Sequence, residues 1–326
     1  MRIVCLFLLL SSAGIGFSAS ADSARVPIDI GQVNNPLTDI VGPDSKGAAV
    51  LRAQILLDRA HFSPAEIDGV YGDNLNRAIA AYRAANALPA SDSVDAAVWA
   101  KLNQDTAPAI QEYTIQPSDV SGPYTSKIPT NILEQAKLPS LNYGNAQEGL
   151  GEKFHCSPQL LEALNPNKDI TQAGAQIEAP NVIVGPPAAL AAEVWVIKDQ
   201  RLVEAVDDQG KVIAAYPATM GSEHDPLPVG NWQVTEVQKY PYFHYNAALF
   251  WDAKQKGEAV LKPGPNNPVG VVWIGLSKEH YGIHGTENPH NIGHTESHGC
   301  IRLTNWDAME LAGMVSKGTP AILKEN

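Results

Sequence analysis

The segment Ser297-His298-Gly299-Cys300-Ile301-Arg302-Leu303 decides the interpretation of this chain, because it places a cysteine directly after a histidine and a glycine. A second histidine, in Ile283-His284-Gly285-Thr286, lies sixteen residues before Cys300. A thiol is a useful nucleophile only as the thiolate, and a nearby imidazole is the usual acceptor of its proton. The pairing of Cys300 with His284 therefore indicates nucleophilic cysteine chemistry.

Two further segments extend this pattern. The first is Pro226-Leu227-Pro228-Val229-Gly230, and the second runs from Lys262 to Gly270 with the sequence Lys-Pro-Gly-Pro-Asn-Asn-Pro-Val-Gly. Together with the histidine and cysteine segments they resemble the signature of the L,D-transpeptidases, the YkuD-type cysteine enzymes that remodel bacterial peptidoglycan. Leu227 departs from the family, which has threonine there. The resemblance covers residues 193–326, about two-fifths of the chain.

The resemblance implies a mainly-β, YkuD-type sandwich for residues 193–326 and a role for each signature residue. Cys300 would be the nucleophile, and His284 would take its proton and later return it. The backbone carbonyl of Gly285 would orient the imidazole, and Gly299 would belong to the oxyanion region. The substrate-binding residues would be Ser297, His298 and Arg302, with Arg302 as a partner for substrate carboxylates.

The family's chemistry implies a tetrapeptide donor stem on peptidoglycan, a thioester on Cys300 and an amine acceptor. The acceptor would be a second stem, giving a 3→3 cross-link, or an amine of an envelope protein or free D-amino acid. The resemblance also makes the protein a carbapenem target. An endopeptidase or carboxypeptidase that hydrolyses the same bonds shares the signature, so it stays an alternative. A non-catalytic wall-binding protein is a third, which the intact His284 and Cys300 pair argues against.

Patterns within residues 193–326 predict strands followed by one helix. Residues 194–197 and 201–206 flank a short turn and predict a hairpin. Residues 271–276 predict another strand leading to the histidine segment. The last helix is predicted from Trp306 to Val315, with Asn305 as its N-cap.

Residues 45–105 predict a small all-α domain of three helices. The central helix carries Leu75, Ala78, Ile79 and Tyr82 at the spacing of one helical face. The turn before it, residues 68–72, reads Asp-Gly-Val-Tyr-Gly and resembles the Asp-Gly-x-x-Gly turn of a peptidoglycan-binding domain found on cell-wall enzymes. Arg83 stands after Tyr82, where that family often has glutamine. A helical spacer without a ligand is the alternative.

Residues 110–184 predict a strand, two helices and a second strand. This order resembles a LysM module, an α+β unit that binds glycans containing N-acetylglucosamine. The first strand is separated from Tyr143 by a long insertion, residues 116–142, which we call the insertion segment. A degenerate spacer domain is the alternative here.

The first 21 residues predict a secretory signal peptide, with Arg2, an apolar run from Ile3 to Leu10 and a small-residue site at residues 19–21. No other segment approaches the length of about 18 apolar residues that a membrane-spanning helix needs. Residues 185–189 predict a linker. We therefore expect a periplasmic or otherwise exported protein that is associated with the cell wall.

Charge and residue types narrow the remaining classes. The formal net charge of −12 becomes −13 once the signal and Arg2 are removed, and this negative charge argues against binding to nucleic acid.

Without the signal two cysteines remain, and Cys156 is expected to be a buried structural thiol. The chain also contains a cluster of candidate metal ligands: His284, His290, His294 and His298, with Glu287 and Glu296 nearby. They lie in a loop without a His-Glu-x-x-His motif, so no metal or other cofactor is expected.

Overall fold

The computed structural model describes residues 28–36, 39–182 and 189–326. The predicted signal peptide and residues 185–188 of the predicted linker lie outside the described residues. In the described part, no helix is both long enough and apolar enough to cross a membrane.

Four helices make up the N-terminal part: α1 (Ile30–Asn34), α2 (Ala48–Arg59), α3 (Asp73–Ala85) and α4 (Ala96–Leu102). The last three form what we call the helical domain, residues 45–105, and confirm the predicted helices. The four residues predicted to share one face of α3 are all buried. Arg83 is also buried: its guanidinium pairs with Asp95 at 2.5 Å and donates to the carbonyl of Pro89 at 2.8 Å. The guanidinium of Arg83 therefore binds groups within the helical domain.

The middle module, residues 110–182, has the predicted order of two strands and two main helices. Its elements are β1 (Ile110–Thr114), α5 (Pro117–Val120), α6 (Ile132–Gln135), α7 (Ala146–Lys153), α8 (Pro158–Leu164) and β2 (Gln176–Pro180). Strands β1 and β2 pair antiparallel, and α7 and α8 lie between them in sequence. The short helices α5 and α6 belong to the insertion segment.

The β domain, residues 189–326, contains eleven strands and one α-helix within the described residues. The strands are β3 (Glu193–Ile197), β4 (Leu202–Val206), β5 (Val212–Pro217), β6 (Thr219–Met220), β7 (Gly230–Lys239), β8 (Phe243–Asn246), β9 (Glu258–Leu261), β10 (Val272–Leu276), β11 (Gly282–His284), β12 (Ile301–Arg302) and β13 (Pro320–Lys324). Helix α9 (Asn305–Met314) lies between β12 and β13. The predicted hairpin of β3 and β4 is confirmed.

Nine of these strands form one sheet in the order β5-β4-β3-β13-β7-β10-β11-β12-β6. The long strand β7 joins its halves, because residues 230–233 pair with β13 and residues 234–239 pair with β10. The two end strands, β5 and β6, are separated in the chain by Ala218 alone. The sheet therefore curls into a nearly closed barrel. The predicted mainly-β architecture is confirmed, but its form is barrel-like rather than the expected sandwich.

Helix α9 begins one residue earlier than predicted. Thr304 is its N-cap, since the Thr304 hydroxyl accepts from the backbone N–H of Asp307 at 3.1 Å. Asn305, the predicted cap, is instead the first helical residue, and its side chain is free to bond elsewhere. Leu311 and Ala308 of the helix are fully buried in the core of the β domain.

The helical domain and the middle module both pack directly on the β domain. Leu202 and Ala215 of the β domain are buried in the hydrophobic core of the helical domain. The backbone N–H of Ser63 donates to the carbonyl of Ala215 at 2.9 Å. The chain therefore folds as three units with shared interfaces rather than as domains joined only by a linker.

Candidate active site

The pairing of β11 with β12 brings the histidine and cysteine segments together. The two strands are parallel, with Ile283 opposite Ile301 and His284 opposite Arg302. Both isoleucines are fully buried in the core. Because side chains alternate along a strand, His284 and Arg302 point to the other side. Cys300 directly precedes β12.

Gly299 gives the cysteine loop, residues 297–300, its shape. Its backbone has φ +97°, a conformation that favours glycine. A Cβ atom at this position would lie 2.7 Å from the ring of Tyr281. Any other residue would therefore push Tyr281 and Cys300 apart.

The hydroxyl of Ser297 is used inside the protein. It accepts from the backbone N–H of Gly221 at 2.8 Å and donates to the carbonyl of Cys300 at 2.6 Å. The backbone N–H of Ser297 also donates to the carbonyl of Gly221 at 3.0 Å. Ser297 is buried, and these bonds fasten the cysteine loop to the segment that follows β6.

The imidazole of His284 is buried and held by one backbone acceptor. Its Nδ1 lies 2.7 Å from the carbonyl oxygen of Gly285, and its ring stacks on Trp273 at 5.7 Å. A carbonyl can only accept, so Nδ1 carries the proton and Nε2 keeps a lone pair. Burial lowers the pKa of His284 to about 3, and the positive charge of Arg302 acts in the same direction. His284 is therefore neutral at neutral pH.

The thiol of Cys300 is half-buried, and its Sγ lies 3.6 Å from the carbonyl oxygen of His280. Burial raises its pKa, while the backbone of Gly282 and the charge of Arg302 oppose that change. The thiol and the imidazole are therefore both neutral at neutral pH in the resting site.

The charge of Arg302 influences the pKa values of His284, Cys300 and Glu287. Among the residues that the structure describes, none forms a hydrogen bond or an ion pair with the Arg302 guanidinium. The group is half-buried and available to an anionic ligand.

A hairpin of β8 and β9, residues 243–261, lies beside the cysteine loop. Nε2 of His298 is 2.7 Å from Oδ1 of Asp252, and the ring of Phe250 meets the His298 ring edge-on at 5.2 Å. Trp251 stacks on His224 at 4.1 Å, which ties the hairpin to a second loop. Sequence reasoning missed this β8–β9 hairpin; the adjacent aromatics Phe250 and Trp251 were the available signal.

The remaining histidines of the candidate metal set do not converge on the site. His290 and His294 are exposed in the loop between β11 and β12. Across the described ranges, no group of three or more His, Cys, Asp or Glu side chains is arranged to hold a metal ion.

Comparison with known proteins shows which families the chain matches. Residues 192–323 match the family described as "L,D-transpeptidase catalytic domain", and residues 46–102 match "Putative peptidoglycan binding domain". A protein of Bacillus subtilis strain 168 named "Putative L,D-transpeptidase YkuD" is 30% identical over 179 residues, which cover 54% of this chain and 92% of that protein. "Probable L,D-transpeptidase ErfK/SrfK" of Escherichia coli K12 is 28% identical over 203 residues, covering 60% of this chain and 61% of that one.

Among solved structures, L,D-transpeptidase 3 from Mycobacterium tuberculosis, in complex with a faropenem-derived adduct, is 19% identical with a TM-score of 0.34. The match covers 45% of this chain and 66% of that one.

The chain belongs to the L,D-transpeptidase family. It is a cysteine transferase that acts on peptidoglycan, with a helical peptidoglycan-binding domain before its catalytic domain. Such a protein is located in the cell envelope.

Proposed function

We propose that this protein is an exported L,D-transpeptidase whose nucleophile is Cys300 and whose general base is His284. The observation that carries the proposal is the hydrogen bond between His284 Nδ1 and the Gly285 carbonyl. It leaves the Nε2 lone pair as the proton acceptor, on the strand that pairs with the strand following Cys300. The Gly285 carbonyl thus has the orienting role that a carboxylate has in other catalytic triads.

The reaction follows from these positions. Cys300 Sγ attacks the carbonyl of the third stem residue while its proton passes to Nε2 of His284. The carbon–nitrogen bond to the terminal D-alanine breaks, and His284 protonates the leaving amine. An acceptor amine then attacks the thioester carbonyl and gives its proton to His284. The carbon–sulfur bond breaks, and His284 returns a proton to the Cys300 sulfur. Backbone amides around Gly299 would stabilise the oxyanion in both steps.

Three polar side chains have distinct places in this proposal. Arg302, whose guanidinium forms no hydrogen bond or ion pair with the described residues, would bind a substrate carboxylate beside the reacting carbonyl. Ser297 would act by holding the cysteine loop, since its hydroxyl is already bonded to Gly221 and Cys300. His298 would link that loop to the β8–β9 hairpin through Asp252.

The domains before the active site would hold the enzyme on its polymer. The middle module has the strand, helix, helix, strand order of a LysM module, with β1 and β2 paired antiparallel, which supports glycan binding. Attachment through separate modules raises the local concentration of stems at the active site. The apolar N-terminal run supports export to the periplasm or beyond.

Incubation with tetrapeptide-rich sacculi, followed by mass analysis of the muropeptides, tests the reaction. We expect 3→3 cross-linked products or stems joined to an added D-amino acid, and neither from Cys300→Ala. Tripeptide stems alone would instead identify the hydrolytic alternative, because water would then resolve the thioester. Turnover by Cys300→Ala would overturn the assignment of the nucleophile. An envelope protein added as acceptor would test protein attachment.

A further inference from the structure

Asn305, at the start of α9, lies directly behind the histidine segment. Its side chain is buried, and its Oδ1 accepts from the backbone N–H of Val271 at 3.1 Å. A Cβ atom on Gly285 would lie 2.3 Å from this Oδ1, so the amide of Asn305 is packed against the Gly285 backbone. Any movement of the amide is therefore transmitted to the residue whose carbonyl holds His284.

The other side of the Asn305 amide is held by the middle module. Its Nδ2 donates to Glu152 at the end of α7, at 2.8 Å to Oε1 and 3.1 Å to Oε2. Nδ2 also lies 3.2 Å from the carbonyl oxygen of Pro265. The hydroxyl of Tyr143 donates to the same carboxylate at 3.2 Å. Glu152 therefore reaches across the boundary between the middle module and the β domain.

These contacts allow the Asn305 amide only one orientation. With Nδ2 toward Glu152, Oδ1 faces the N–H of Val271. A rotation of the amide by half a turn would set its oxygen against the carboxylate and its NH₂ against an N–H donor. An acceptor on the middle module thus decides how Asn305 packs on Gly285.

We propose that Glu152 is a positioning residue for the reaction: it fixes the Asn305 amide, which fixes the Gly285 backbone that orients His284. The inference rests on the proposed role of His284. It gives the middle module a function at the chemical step, separate from attachment to the wall. Docking of the module on the β domain is then required for full activity.

Full-length Glu152→Gln, Asn305→Asp and the double variant test this chain of contacts. In Glu152→Gln the new NH₂ competes with that of Asn305, and in Asn305→Asp two carboxylates meet. The double variant restores one donor facing one acceptor, because the new amide at position 152 can donate to the new carboxylate at position 305. The second oxygen of that carboxylate still accepts from the N–H of Val271. Glu162→Gln, an exposed change on α8 of the same module, is the matched control.

The first readout is the saturating rate of Cys300 acylation by imipenem, followed by intact-protein mass spectrometry, with thermal unfolding measured beside it. A misplaced catalytic group costs about tenfold or more in rate, so we expect each single variant to lose about that much while still folded. The double variant should recover most of the loss, and Glu162→Gln should match wild type. A folded Glu152→Gln protein with the wild-type rate, or a double variant no faster than the singles, would overturn the inference.

The second readout is the ¹⁵N NMR spectrum of labelled histidine, with His284→Gln used to assign the signal. Wild type should show His284 protonated at Nδ1, and the single variants should show a mixture of tautomers. An unchanged spectrum in both would also overturn the inference. Failure of the proposed function would look different, since wild type itself would not be acylated at Cys300; the histidine spectrum would still decide the role of Glu152.

Discussion

The imidazole of His155 stacks on the indole of Trp306, with centroids 5.2 Å apart and planes 9° from parallel. His155 belongs to the middle module and Trp306 to the first turn of α9. On its other side His155 bonds Asp58 of the helical domain at 3.0 Å. One side chain thus connects all three units at α9, the helix that follows the cysteine segment.

This junction predicts that the β domain by itself is less stable than it is in the full chain. A fragment of residues 193–326 would expose Leu202 and Ala215, which the helical domain covers, and would leave Trp306 without its stacking partner. Because each large apolar side chain contributes about 2 kcal/mol on burial, we expect the fragment to unfold about 10 °C or more below the full chain. Differential scanning calorimetry measures this. A fragment from residue 107, which keeps the middle module, should lie between the two; equal midpoints would show that the interfaces contribute little.

The two thiols should behave differently. Cys156 is 2% exposed, and burial raises the pKa of its thiol far above the ordinary range. We expect wild type and Cys156→Ala to take up one imipenem each, and Cys300→Ala to take up none, as judged by intact-protein mass spectrometry. Cys156→Ala should cost on the order of 1 kcal/mol of stability because it leaves a small cavity. An adduct that survives in Cys300→Ala would place the reactive group elsewhere.

The pH profile of acylation should lack the step near pH 6.5 that is typical of a histidine base. Burial lowers the pKa of His284 to about 3, so the imidazole remains a proton acceptor throughout the weakly acidic range. Burial also raises the pKa of Cys300, which moves any alkaline change above its usual position. Because burial raises the pKa of Glu152 to about 7, the profile is measured in Glu152→Gln, in which position 152 does not titrate. Stopped-flow acylation rates of that variant between pH 5 and pH 8 should be nearly flat. A tenfold fall between pH 7.5 and pH 5.5 in that variant would contradict a neutral resting pair.

The β8–β9 hairpin should depend on the insertion segment for its order. Leu141 of that segment is fully buried with Tyr245 and Leu261 of the hairpin. Leu141→Ala removes buried contacts worth about 2–5 kcal/mol, and we expect faster hydrogen exchange across residues 243–261. Leu249→Ala, at a position 48% exposed within the hairpin, is the control and should leave exchange unchanged. Equal exchange in wild type and Leu141→Ala would show that the order of the hairpin does not depend on the insertion segment.

Stability should fall as the pH rises from 6.5 to 8.5. Burial raises the pKa of Asp307 from 3.8 to about 8, so the folded state binds this proton more tightly than the unfolded state. Such a group stabilises the fold while it is protonated, and the stabilisation is lost as pH rises through the folded pKa. Glu66 and Glu152 act in the same direction, because burial raises the pKa of each to about 7.

Above pH 6.5 the histidines also make the stability of the fold decrease as the pH rises. His61 and His155 have raised pKa values through Glu310 and Asp58, so their stabilisation also fades with rising pH. His284 opposes them, but only below its ordinary pKa of 6.5. We expect the unfolding midpoint to drop by several degrees between pH 6.5 and 8.5, and by less in Asp307→Asn. A midpoint that rises over this interval would show that Asp307 is ionised in the fold.

The candidate active site could be proposed from the sequence because its residues lie in short local patterns. His284 and Cys300 fall in segments of a few residues, and each precedes or follows a strand that the apolar pattern indicates. The helices of the helical domain were equally visible, since Leu75, Ala78, Ile79 and Tyr82 repeat at a helical period. Local patterns therefore indicated the helical and mainly-β units and the candidate catalytic pair.

The contacts between modules were not predictable in the same way. Glu152 and Asn305 are 153 residues apart, and nothing near either one indicates the other. Asn305 was expected to cap α9, because a local cap and a distant acceptor require the same residue type; Thr304 next to it performs the capping. The closure of the sheet also depends on β7 pairing with two different strands, which alternation along one strand does not reveal.

The orienting acceptor for His284 belongs to the main chain, and this has a genetic consequence. A side-chain carboxylate can be removed by one codon change, but every amino acid carries a carbonyl, so no substitution at position 285 deletes the acceptor. Position 285 is constrained instead by its missing Cβ, which Asn305 would meet at 2.3 Å. Inactivating alleles that affect the imidazole's orientation are therefore expected to scatter over the surrounding backbone supports rather than to concentrate on one acidic codon.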